Sequence, residues 1–170
     1  YHGADGYNNT FSALSSITIG ENVESIGANA FRGGHLNYHG VTIYWNTNKI
    51  DMLGESPFTS IASNLTFVFG ENVDHIPARL CYNLQRIYSI MIPSNIKSIG
   101  NEAFRGANLS SVTIPESVTR VGWKAFSDCE DLPIIDEIRY ADTYLVEAVN
   151  KDLSSYTIQT GTRFIGSEAF

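Results

Sequence analysis

The sequence predicts a repeat solenoid: a right-handed coil with short parallel strands on one face, irregular turns elsewhere and one inserted β-hairpin. Three observations lead there. An apolar motif recurs at intervals of 22 to 23 residues, isoleucine outnumbers leucine by 18 to 10, and charged residues make up only 17% of 170. β-Branched side chains suit strands and stiff extended turns, and parallel strands joined by a return cross over with right-handed chirality. Hydrophobic residues at 43% exclude disorder by composition, and the length fits one domain with a sizeable core. The net charge of −7 argues against a primary role on nucleic acid or anionic lipid, where basic patches are expected.

The repeat is explicit. Leu14-Ser-Ser-Ile17-Thr-Ile19-Gly-Glu-Asn-Val23-Glu-Ser-Ile26-Gly27, then Ala30-Phe31, is matched by Leu109-Ser-Ser-Val112-Thr-Ile114-Pro-Glu-Ser-Val118-Thr-Arg-Val121-Gly122, then Ala125-Phe126. A third copy runs from Leu153 to Ala169-Phe170, and a fourth from Ile90-Met-Ile92-Pro93 to Ala103-Phe104. A degenerate fifth has Phe67-Val-Phe69 with Leu80-Cys81 in the Ala-Phe slot, and Val41-Thr-Ile43 through Phe58 reads as a stretched unit. Ile92 to Ile114 is 22 residues, Phe69 to Ile92 is 23, and Ile114 to Ile158 is 44, two units of 22. That period is too short for paired-helix repeats or propeller blades. It fits one short strand and a compact return, stacked so that neighbours bury each other's apolar face. About seven coils are expected across 14–170, with 1–13 as an N-terminal partial repeat or cap.

Within a unit, Ile17-Thr18-Ile19 alternates with period 2, two isoleucines inward and Thr outward. Gly20, Gly70, Pro93 or Pro115 ends the strand, because Pro cannot donate to a ladder. Val23 and Ile26 turn inward on the return. Gly27, Gly100, Gly122 and Gly166 are expected to supply a backbone conformation that side chains penalise. Phe31, Phe58, Phe104, Phe126 and Phe170 are expected to stack as a core spine.

On these residues the unit L-x-x-I-x-I-P-x-x-V-x-x-I-G-x-x-A-F resembles the BspA-type leucine-rich repeat of bacterial surface proteins, from about Leu14 to Phe170. The resemblance implies a leucine-rich-repeat-like coil and a secreted or cell-surface location in a bacterium. Asn22, Asn72 and Asn95 sit near the slot of the ordinary leucine-rich asparagine ladder, but Ser117 and Gly161 replace it. An ordinary ladder is therefore not expected. The interruption at 135–149 alternates on both sides of Ala141-Asp142-Thr143, which predicts a hairpin with a three-residue loop. The resemblance implies that it packs on the solenoid edge.

No enzyme signature is present: G-x-S-x-G, G-x-x-x-x-G-K, H-E-x-x-H and G-x-G-x-x-G are all missing. His35 and His39 are four apart in a Gly-rich turn, not on a helix, so a metal role is disfavoured. Cys81 takes the slot of a spine Phe and Cys129 follows Phe126 by three residues. Two repeats of separation exceed disulfide reach, so both are expected as buried free thiols. Asp128, Glu130, Asp131, Asp136 and Glu137 cluster in a turn without EF-hand spacing, which favours solvated charge over a cation site. The sequons at Asn8, Asn64 and Asn108 matter only in a eukaryotic secretory pathway. No cofactor is expected.

The outward strand positions form a ladder of hydroxyls with an apolar middle. Thr18, Thr42, Tyr44, Trp45, Thr66, Val68, Met91, Thr113 and Thr157 are the expected binding surface, for a protein or glycan on a host or neighbouring cell. A non-enzymatic adhesion module is the preferred reading. The competitors are structural spacer repeats in a larger surface protein and a parallel β-helix carbohydrate enzyme; the second needs acids converging on one strand face, and these positions have none. No apolar run is long enough to span a membrane. The array ends on Phe170 without a polar capping unit, so either a continuing chain or end-to-end self-association through the last coil is expected to cover it.

Overall fold

The structure, a computed structural model, describes residues 14–31, 40–59, 61 and 63–170. The expected cap at 1–13, His2, His35, His39 and the Asn8 sequon lie outside these residues. The described residues hold twelve strands and no helix: β1 (Ser16–Ile19), β2 (Val41–Trp45), β3 (Leu65–Phe69), β4 (His75–Ile76), β5 (Ser89–Met91), β6 (Ser98–Ile99), β7 (Ser111–Thr113), β8 (Arg120–Val121), β9 (Ile134–Ile135), β10 (Ile138–Ala141), β11 (Tyr144–Ala148) and β12 (Phe164–Ile165). The result is a β-solenoid of about six turns.

The first face holds two parallel sheets, β1-β2-β3 and β5-β7. Register puts Ile17, Ile43 and Phe67 in one column and Ile19, Trp45 and Phe69 in the next, with Thr18, Tyr44 and Val68 between them. Trp45 is therefore core, fully buried, with its indole Nε1 donating to the Thr47 carbonyl at 3.0 Å. This corrects its assignment to the outer surface: neighbours along a strand point to opposite sides, and Tyr44 already faces out.

A second parallel sheet, β4-β6-β8, runs along the return, where only irregular turns were expected. Ladder bonds join Gly100 N–H to the Ile76 carbonyl at 2.9 Å and Gly122 N–H to the Ile99 carbonyl at 2.8 Å. Stacked coils bring equivalent backbone groups to strand spacing, so even two extended residues at a repeated position form rungs. Ile76 and Ile99 point inward while His75, Ser98 and Arg120 face out.

The repeated glycines do not hold the left-handed backbone. That conformation falls two residues later, at Asn29, Arg79, Glu102, Lys124 and Glu168. Glycine is required at Gly100 by close approach instead: a Cβ there would lie 2.3 Å from the Ala78 nitrogen.

The phenylalanine spine forms in two pieces. Phe31 stacks on Phe58 and Phe104 on Phe126, each at 5.2 Å. Cys81 occupies the slot between the pieces, its amide bonded to Ala103 as that of Phe104 is to Ala125. Beyond Phe126 comes Tyr144 at 5.4 Å, then Phe164 at 6.4 Å. Phe170 is exposed and rests on Tyr156, so it does not extend the spine.

The hairpin causes that change. β9-β10-β11 is antiparallel, and β11 pairs in parallel with β12. Rather than sitting on the solenoid edge, the hairpin enters the stack where a coil would stand, and the expected seven coils become about six. Its loop has two residues, not three, because Ala141 pairs with Tyr144 and Asp142 takes a left-handed φ of 54°. In the last coil the expected strand around Tyr156–Ile158 is absent, and Ile158 and Ile165 are exposed. With a hairpin below it, that coil has no first-face strand to pair with.

Turn carbonyls of one coil are capped from the next by unlike residues, Asn95 in the asparagine slot and Thr47 and Arg163 beside it. Asn95 Nδ2 donates to the carbonyls of Gly70 (3.0 Å) and Val73 (2.6 Å) of the preceding turn. Thr47 Oγ1 does the same to Val23 at 2.7 Å, and the Arg163 guanidinium to Pro115, Glu116 and Val118. Ser117 is too short to span to the turn before it, and its buried Oγ has no partner.

Candidate functional site

The first face presents two outward columns. Ser16, Thr42 and Thr66 form one and Thr18, Tyr44 and Val68 the other; Ser89 with Ser111 and Met91 with Thr113 continue them on β5 and β7. Met91 is 77% exposed, Val68 43% and Tyr44 40%. None of these side chains is charged, so the face is neutral on a chain of −7. Threonine pairs across strands stabilise a sheet, but an exposed Met, Val and Tyr on one face are surface that the fold itself does not use.

Of the expected surface residues, Thr18, Tyr44, Thr66, Val68, Met91 and Thr113 are exposed on this face and Thr42 is half-buried. Trp45 is not on it. Thr157 is exposed but lies outside any strand. The face ends at β7, because the Asp142 carboxylate accepts a bond from the Ile114 amide at 2.7 Å and stops another strand from adding there.

The other candidates are structural. Cys81 and Cys129 are buried free thiols. Burial pushes both up, Cys129 to about 12, so they stay protonated and are poor nucleophiles. In the acidic turn, Asp128 pairs with Arg105 at 2.8 Å. Arg139 lies nearly buried beside it, donating to the carbonyls of Glu130 and Leu132 and to Glu147 Oε1. No group of three metal-ligating side chains occurs among the described residues.

Two features escaped sequence reasoning. One is an ion-pair chain on the left-handed corner: Arg79 to Glu102 at 2.7 Å, Glu102 to Arg105 at 2.6 Å, Arg105 to Asp128 at 2.8 Å. Arg105 first, then Arg79, holds the Glu102 carboxyl below its ordinary range. The 22- to 23-residue spacing of Arg79, Glu102 and Lys124 was the available signal. The other is a groove over the second sheet. One part, about 550 Å³, is lined by Ser98, Ile99, Thr119, Arg120, Val121, Gly122 and Phe164. An adjoining part, about 320 Å³, reaches Asp51, Asp74, His75 and Lys97. Two-residue strands carry no alternation, so nothing in the sequence marked this face.

Among solved structures, a leucine rich cell surface protein from Faecalibacterium prausnitzii A2-165 is similar at 21% identity with a TM-score of 0.44. The match covers 79% of this chain and 45% of that one, so the chain spans less than half of that protein's length. No curated protein matches the chain. The model of the BspA type leucine rich repeat region matches residues 3–133 in 6 copies, stopping where β9 and the hairpin begin. With its recurring unit, its parallel ladders and its inward columns, the chain belongs to the BspA-type leucine-rich repeat family.

Proposed function

We propose that this chain is a non-enzymatic binding module displayed on a bacterial surface, contacting a protein or glycan partner through the first face. The observation that carries the reading is the neutral, exposed ladder centred on Tyr44, Val68 and Met91. Solenoids offer such extended faces to partners, and interface cores are depleted in charge and enriched in Tyr and Met. Recognition rests on shape and many small contacts, not on a deep pocket. The two cysteines are buried and protonated, so neither is a poised nucleophile. The surface location rests on family membership.

Beads coated with the purified chain and counted on intact epithelial and bacterial cells test the reading. The double variant Val68→Glu, Met91→Glu should lower attachment at least about tenfold, since buried unpaired charge costs several kcal/mol. Its thermal midpoint should stay within a few degrees of the parent. Attachment equal to the parent's would refute the first face as the site.

A further inference from the structure

The groove over the second sheet combines features that the first face lacks. Among the cations of the described residues, Lys49, Arg79, Arg105, Lys124 and Arg139 are ion-paired, while Arg163 and Lys151 donate to carbonyls. The side chains of Lys97, Arg120 and Arg86 have no such partner, although acids outnumber bases by 18 to 11, and of these three Arg86 lies away from the groove. Lys97 and Arg120 line it, in consecutive coils, with Ser98 and Arg120 in direct register. Beside Arg120 the half-buried Val121 gives an apolar patch, and Phe164, with the Arg163 guanidinium 5.0 Å from its ring centroid, closes one end. Ser98 and Thr119 bring hydroxyls to the same space. At the opposite end Asp74 is turned to His75 at 2.9 Å, and Asp51 lies 3.5 Å from the same ring.

We propose that this groove binds an acidic sugar, a pyranose bearing one carboxylate, with the carboxylate on Arg120 and Lys97. The guanidinium fork of arginine matches a carboxylate bidentately. The apolar patch at Val121 suits the C–H face of a pyranose, and the two hydroxyls suit its hydroxyl groups. Charge complementarity selects the anion, and the Asp51–Asp74 end sets direction: a second negative group there meets carboxylates. Polyanions are therefore excluded, which separates this site from a generic basic patch. The volume lies within the ordinary range of small-ligand sites, and the site is independent of the first face.

Titration calorimetry on the full chain at about 0.1 M salt decides the matter, with sialyllactose, a glucuronate-terminated disaccharide, lactose, sodium acetate and a heparin oligosaccharide as probes. At least one of the two acidic sugars should bind about tenfold or more tightly than lactose, acetate and heparin. Arg120→Gln should lose at least about tenfold of that binding and Lys97→Gln about threefold, with unchanged melting curves because both side chains are exposed. Val68→Glu with Met91→Glu should leave it unchanged, so failure here is distinct from failure of the first-face reading. Three results would each overturn the proposal: no preference of either acidic sugar over lactose, acetate binding as tightly as the acidic sugar, or full binding in both charge variants.

Discussion

Gly100 and Gly122 occupy the same repeat position, and each has the backbone of the preceding coil pressed against it. A Cβ at Gly100 would sit 2.3 Å from the Ala78 nitrogen, and one at Gly122 2.5 Å from the Asn101 nitrogen. Gly100→Ala should therefore cost about 2–3 kcal/mol, the scale of overpacking against atoms that cannot yield. Urea denaturation reads the loss, and a midpoint equal to the parent's would contradict the close-approach account. Glu102 makes a second test at this scale. Its folded pKa is depressed by Arg105 and Arg79, so its contribution is present above the unfolded value and fades as pH falls through the folded one. The melting temperature should drop on acidification from about pH 5 to pH 3, and Glu102→Gln should flatten that slope; an unaltered slope would remove Glu102 from the account. Ser117 is the missing rung: Ser117→Asn should gain about 1 kcal/mol by reaching the carbonyls of the turn below.

At the scale of elements, the strands with alternation were legible and the shorter ones were not. Ile17-Thr18-Ile19 and its copies declared both the strand and its inner face, and columns such as Ile19–Trp45–Phe69 follow from the period. Trp45 was misplaced by its chemistry, since an indole looks like a recognition residue; alternation with Tyr44 decides otherwise. β4, β6 and β8 hold two residues each, too few for any periodicity, and exist only because coils stack. The hairpin was legible in kind but not in place. Its alternation marks two strands, whereas its position between coils depends on Tyr144 fitting between Phe126 and Phe164. Tyr144→Ala should then cost about 3–5 kcal/mol and detach the last coil first, seen as early loss of amide protection at Phe164–Ile165. Loss of the whole array in one step would contradict a hairpin that couples the last coil. Its first turn, Asp136-Glu137, has φ of 50° and 64°, the pattern of a type I′ turn. Asn-Gly at those positions should raise stability by about 1 kcal/mol in the same urea assay.

The whole molecule divides its chemistry by face. Apolar bulk is inside, an ion-pair chain runs along the left-handed corner, the second sheet carries a groove with two unpaired cations, and the first face is neutral and open. The low charge fraction has a structural cause, because a Ser and Thr ladder fills the outward positions of the first face. Sequence reasoning reached that face since its columns repeat. The groove depends on contacts between coils that no single repeat contains. The binding role of the first face is the central claim, and the chain's two methionines report on it. Met91 stands on that face at 77% exposure, and Met52 lies elsewhere at 65%. Both should oxidise readily in the free chain, since sulfoxide formation follows exposure. With the chain bound to intact cells, mild peroxide followed by mass spectrometry should show Met91 oxidising at least about fivefold more slowly than in the free chain, and Met52 at its free rate. Met91 oxidising at its free rate on the cell surface, or protection confined to Met52, would contradict recognition through this face.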